Sequence, residues 1–301
     1  MRYVTTERAV IANSPQRRPY GARFSLQLEP STRFQIDAET TFLLERDIVV
    51  RVAPGRTAAS EGSSQSWNVY VEGFATAGEA EKEGQRVVLG FLWAAVFGRF
   101  AVRLSYRTPL PCEVYLRTES HGMTLSGEAT LIVTKGIGNI VAPVGAVAKS
   151  RIDIEPKLLL ALELFTSARL ETTERSKYIG LVSSLEPLAF QGRYDDPEIE
   201  RIIEEAISRL DRCNLPDKDR ASIRGRIEGL RQESVSAAIR HLVRDLMADD
   251  QHALDTIEEA YSIRSKILHE GSTDADLAAK GQEVETIIRS LLERKMQQYL
   301  R

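Results

Sequence analysis

A change of hydrophobic period near residue 150 constrains this chain more than any other feature. Up to Lys135 the apolar residues come in short β-branched runs broken by Gly, Ser and Pro; from Pro156 onward they recur every three to four positions among many charges. Strand and helix periods direct side chains to faces in incompatible ways, so each half is committed to its own kind of element. A length of 301 residues holds two cores of ordinary size. We therefore expect an α+β domain over residues 1–150, β-rich with one packed helix, and an all-α helical bundle over residues 151–301. The boundary should fall near 145–155.

Within the first half, residues 41–52 suit a strand or a pair of strands, and Pro54-Gly55 ends them. Residues 58–66 are rich in Gly and Ser and read as an exposed loop, after which Trp67 to Phe74 resumes strand character. A helix is expected over 78–97, acidic at its start (Glu79, Glu81, Glu83) and apolar at its end. Its apolar run, Val87 to Gly98, is too short to span a bilayer and reads as a buried helix. Strands at about 99–106, 112–118 and 128–135 would complete a small sheet, with Trp67 and Trp93 in the core. The small residues from Gly136 to Gly145 lack the spacing of a phosphate loop and are expected to form an irregular crossover or edge segment.

The second half predicts helices at about 156–170, 173–190, 197–212, 217–231, 234–247, 251–270 and 274–299. Pro216 and Gly271 supply natural stops.

A net charge of −3 offers no global attraction to nucleic acid, so contact with RNA would need a local basic patch. The two cysteines, Cys112 and Cys213, are too few for a disulfide framework or a zinc site, and no other metal or cofactor motif stands out. The first residues lack the apolar region of a secretory signal, and no run is long enough for a membrane helix, so a cytoplasmic location is expected.

The helix over 251–270 carries the one arrangement with a chemical reading. Its apolar stripe runs through Leu254, Ile257, Tyr261 and Leu268. Arg264 falls on one margin of that stripe, His269 on the other, and Ser265 lies between His269 and the centre. A guanidinium on the apolar side needs a carboxylate or an anionic ligand, and Glu186 is the acid expected to answer it if the role is structural. Beside a titratable imidazole, such a fork suits a phosphodiester: one group holds oxygens and the other moves protons.

The stretch from Arg264 through His269 to Gly271, with the earlier segment from Arg175 to Leu188, resembles the HEPN superfamily, in particular its ApeA-like branch. The likeness covers about residues 155–300. It implies a homodimer in which Arg264 and His269 of both subunits line one cleft and cut RNA without metal or cofactor. The ribose 2′-hydroxyl would attack phosphorus, leaving 2′,3′-cyclic phosphate and 5′-hydroxyl ends, in a toxin or antiviral-defence setting. Where the family commonly has Asn, Asp or His after the arginine this chain has Ser265, a shorter group for orienting phosphate or imidazole. By analogy the first domain would sense a regulatory protein or ligand. The alternative is a non-catalytic HEPN-like scaffold that dimerises or binds RNA or protein.

Other residues have plainer expectations. His241 should lie on a helix surface, His121 in a turn, and His252 near a helix start capped by Asp249 or Asp250. Arg240 and Arg244 should be paired surface charges.

Overall fold

Strict alternation builds the strand that pairs with three others in the main sheet. Ala22, Phe24, Leu26 and Leu28 are buried on one face, while Arg23 and Gln27 between them are exposed. The computed structural model describes residues 18–29, 33–34, 40–44, 48–55, 65–105, 112–117, 134–135, 138–150, 155–248 and 250–300. This first strand, β1 (Tyr20–Leu28), was not among those expected from sequence, although its period of two is plain.

The further strands are β2 (Arg33–Phe34), β3 (Thr40–Leu43), β4 (Val49–Pro54), β5 (Ser66–Phe74), β6 (Val102–Ser105), β7 (Glu113–Leu116) and β8 (Thr134–Lys135). The run over 41–52 thus resolves into the pair β3 and β4. The main sheet is antiparallel, in the order β3-β4-β5-β1-β6. One edge of β1 is shared: β6 pairs with Ser25–Leu28 and β7 with Tyr20–Arg23. β2 and β8 pair separately and in parallel. Of the strand expected at 128–135 only these last two residues are described, and most of the expected loop at 58–66 lies outside the described residues.

The helices are α1 (Ala77–Gly98), α2 (Gly138–Ser150), α3 (Pro156–Ala168), α4 (Glu174–Ser183), α5 (Pro197–Asp211), α6 (Asp217–Gly229), α7 (Val235–Leu246), α8 (Gln251–Glu270) and α9 (Leu277–Leu300), with a 3₁₀ turn at Glu186–Leu188. α1 starts on a capping box in which Thr76 and Glu79 satisfy each other's backbone N–H groups. Its run from Val87 to Val96 is buried against the sheet, with Phe91 edge-on to Phe24 at 5.6 Å. Trp67 and Trp93 are both core residues, as expected.

The expectation for 136–145 needs correction. From Gly138 the chain is helical, and Ile140, Val141, Val144 and Val147 form a buried stripe. Its Gly and Pro143 content suggests irregular backbone, but the small residues serve a close helix crossing. A side chain at Gly90 of α1 would come within 2.8 Å of the Val144 backbone.

The contacts group the chain into two compact units, one of residues 1–184 with 275–301, the other of residues 185–274. This division differs from a boundary near 150. α3, α4 and α9, expected in the helical bundle, pack in the unit that holds the sheet. A charged network ties them there: Arg169 reaches Glu29 at 3.3 Å and Glu285 at 3.5 Å, and Arg289 reaches Glu285 at 2.5 Å. Glu29 is buried just beyond the end of β1, so its charge would be costly without such a cation.

In the second unit α5 packs with α6, and α7 with α8 and the 3₁₀ turn. A short antiparallel bridge joins Arg193 to Gln232, and Arg231 grips Glu200 of α5 with two nitrogens. Among the described residues, no helix is long and apolar enough to cross a membrane.

Candidate functional site

Local signals define α8. The Asp250 side chain accepts from the Ala253 N–H at 2.9 Å, and Gly271 closes the helix with φ +75°, its N–H donating to the Ile267 carbonyl at 3.0 Å. The buried face holds Ala253, Leu254, Ile257, Ala260 and Ile267, with Tyr261 half-buried. Leu268 departs from the expected stripe: it is 49% exposed. Its azimuth, about 20° from Ile257, suits burial, so what it lacks is cover in the last turn, where Ile267 is buried instead.

Arg264 points into the apolar side of the helix. Its side chain is only 18% exposed, and Nη2 lies 2.8 Å from Oε1 of Glu186, the first residue of the 3₁₀ turn. Its Cζ stands 5.7 Å from the Tyr261 ring. Burial pushes the Tyr261 phenol up, the Glu186 carboxylate adds to this, and the Arg264 guanidinium opposes it. Glu186, the acid expected to answer Arg264, thus does so.

Ser265 is half-buried, and His269 is exposed in the last turn. Five residues along a helix amount to about 140° of rotation and about 7.5 Å of rise. Arg264 and His269 thus leave one α8 in different directions, and a single chain does not direct both at one phosphate. The chain matches no known protein family, no curated protein and no solved structure.

The remaining histidines stay with their plainer expectations where they are described. His241 is about half exposed, with Nδ1 3.4 Å from Glu233, and His252 is exposed near the start of α8. His121 and Asp249 lie outside the described residues. Arg240 pairs with Glu258 at 3.6 Å. Among the described residues, no three His, Cys, Asp or Glu are grouped as a metal site would require.

One cluster escaped the sequence reading altogether. On the outer face of the sheet, Arg51, Glu72, Tyr70 and Tyr115 from three different strands meet. Its only sequence signal is a set of Arg and Tyr residues at alternate positions of short strands, and their register is set by pairing, not by spacing along the chain.

Proposed function

We propose that the chain is a metal-independent endoribonuclease of HEPN type, acting as a homodimer, with Arg264 and His269 as the catalytic pair and Ser265 assisting. The observation that supports this reading is the placement of an inward-turned guanidinium and an exposed imidazole on the last turns of one helix. Since they diverge within one chain, a second copy must supply the complementary group.

In the reaction His269 takes the proton of the ribose 2′-hydroxyl or returns one to the leaving 5′-oxygen. Negative charge grows on the phosphoryl oxygens, and Arg264 meets it with a planar fork of donors. The products carry a 2′,3′-cyclic phosphate and a 5′-hydroxyl. The ion pair with Glu186 does not bar this chemistry. Turning Arg264 onto a phosphate would leave the buried Glu186 Oε1 without this cation, so the two charge-assisted bonds of the phosphate contact must return more than the pair contributes.

That same ion pair favours a second reading, in which Arg264 is structural and the helices form a non-catalytic binding scaffold. Incubating the purified chain with mixed RNA in EDTA separates the two. Cyclic-phosphate ends that vanish in both Arg264→Ala and His269→Ala uphold the nuclease. No cleavage by the wild-type chain, with Arg264→Ala merely less stable, upholds the scaffold.

A further inference from the structure

The outer face of the sheet is built around one carboxylate. Glu72 accepts a 2.6 Å hydrogen bond from the Tyr115 phenol and lies 3.1 Å from Arg51 and 3.5 Å from Arg117. Gly21 permits this: a Cβ there would sit 2.8 Å from the Tyr115 ring, so the ring crosses β1 to reach β5 only because position 21 has no side chain. Arg51 stacks 4.3 Å above Tyr70, which meets Tyr115 edge-on at 6.2 Å. Arg23 stands 5.8 Å from the Tyr115 ring and pairs with Glu113 at 2.9 Å.

We propose that this face binds single-stranded RNA, with the arginines holding backbone phosphates and the bases stacking on the tyrosines and on the guanidinium above Tyr70. Aromatic rings interleaved with planar cations suit single strands, because every base has a π-face and every linkage a phosphate. Cross-strand ion pairs alone would explain part of the cluster. Two observations go further.

The first is the choice of cation. Among the described residues, the positive groups at the cluster, Arg23, Arg51 and Arg117, are all arginines, the residue that both stacks on rings and forks onto phosphate.

The second is the distribution of charge. The unit that holds the sheet has 27 Lys and Arg against 23 Asp and Glu, whereas residues 185–274 have 13 against 20. A polyanion is attracted to the first unit and repelled by the second. The net charge of −3 conceals this asymmetry.

The inference concerns binding by a different unit from the one that carries α8, so it stands or falls apart from RNA cleavage. The test uses the full chain and a fluorescent 2′-O-methyl oligouridine of about twelve nucleotides, within the range one such surface covers. This probe lacks the attacking hydroxyl and cannot be cut. Fluorescence anisotropy should show binding to the single strand and weaker binding to a duplex of equal length. Tyr70→Ala should weaken binding roughly tenfold, while Tyr70→Phe retains it. Arg23→Gln should lower the slope of log affinity against log salt by about 0.7 for each phosphate left without its cation. Arg226→Gln, exposed on α6, should change little. The proposal is overturned if the wild-type chain fails to bind the probe at low salt, if Tyr70→Ala binds as the wild type does, or if the duplex binds equally well.

Discussion

Glu186 Oε1 lies 2.8 Å from Arg264 Nη2, so the one guanidinium turned toward the apolar side of α8 has a carboxylate to answer it. Each charge depends on the other, and Glu186 Oε1 is buried at the contact. Glu186→Gln should therefore lower stability by about 1 kcal/mol, since the amide still accepts from Arg264 but no longer balances its charge. Arg264→Ala should cost about 1–2 kcal/mol, because it also strips packing from beside Tyr261 and leaves Glu186 without this cation. Urea unfolding of the two single variants and the double variant measures the coupling. Strict additivity would show that the pair contributes nothing.

Glycines in two helices should respond with opposite sign to the same substitution. In α6, nothing lies within 4 Å of a Cβ added at Gly225, so Gly225→Ala should stabilise by about 0.5–1 kcal/mol through helix propensity. In α1, Gly90→Ala gains the same propensity but meets the Val144 backbone at 2.8 Å. Overpacking of that kind costs about 1–3 kcal/mol, so the net effect should be destabilising. Thermal melts of both variants check the sign.

The end of α8 depends on a left-handed residue. Gly271 has φ +75° and open space around it, so strain alone decides the outcome of substitution. Gly271→Ala should destabilise by about 1 kcal/mol and fray the turn that carries His269. Faster amide exchange at Leu268 to Gly271, with the centre of α8 unchanged, is the expected signature.

The two thiols should differ sharply in reactivity. Cys213 is exposed, whereas Cys112 is buried with its pKa pushed up to about 12, first by burial and then by the nearby Glu81 carboxylate. A thiol reagent at pH 8 should modify Cys213 quickly and Cys112 only on unfolding. Two fast-reacting thiols in the native protein would contradict this.

Alkaline conditions should destabilise the fold. Burial and a hydrogen bond to Glu155 also raise Tyr299 to about 12. Both groups bind their protons more tightly in the folded state than in the unfolded chain. Their contribution is fully present below the ordinary thiol and phenol range, about pH 8.5 to 10, and is lost as pH rises toward 12. Urea midpoints should fall between pH 8 and pH 11, and less steeply in Cys112→Ala.

What was legible along the chain was the part decided locally. The bounds of α8, from Gln251 to Glu270, follow from an aspartate that caps one end and a glycine that permits the left-handed turn at the other. The buried run of α1 and the change from strands to helices are likewise matters of period over a few turns. The partnership of Glu186 with Arg264 was expected too, because a cation on an apolar face demands an acid.

Tertiary packing decided the rest. β1 became the strand shared by three partners because β5, β6 and β7 all found it, and its nine residues do not announce those partners. α2 is a helix despite Pro143 because Gly90 lets it approach α1 closely enough to bury its valines. Beyond Asp274 the chain rejoins α4 and the sheet-bearing unit, a choice made by surfaces more than ninety residues apart in sequence. Period and caps are properties of neighbouring residues, so the sequence alone determines which segments are helix or strand. Which faces meet depends on complementary shapes and charges brought from distant segments, and only the folded chain brings them together.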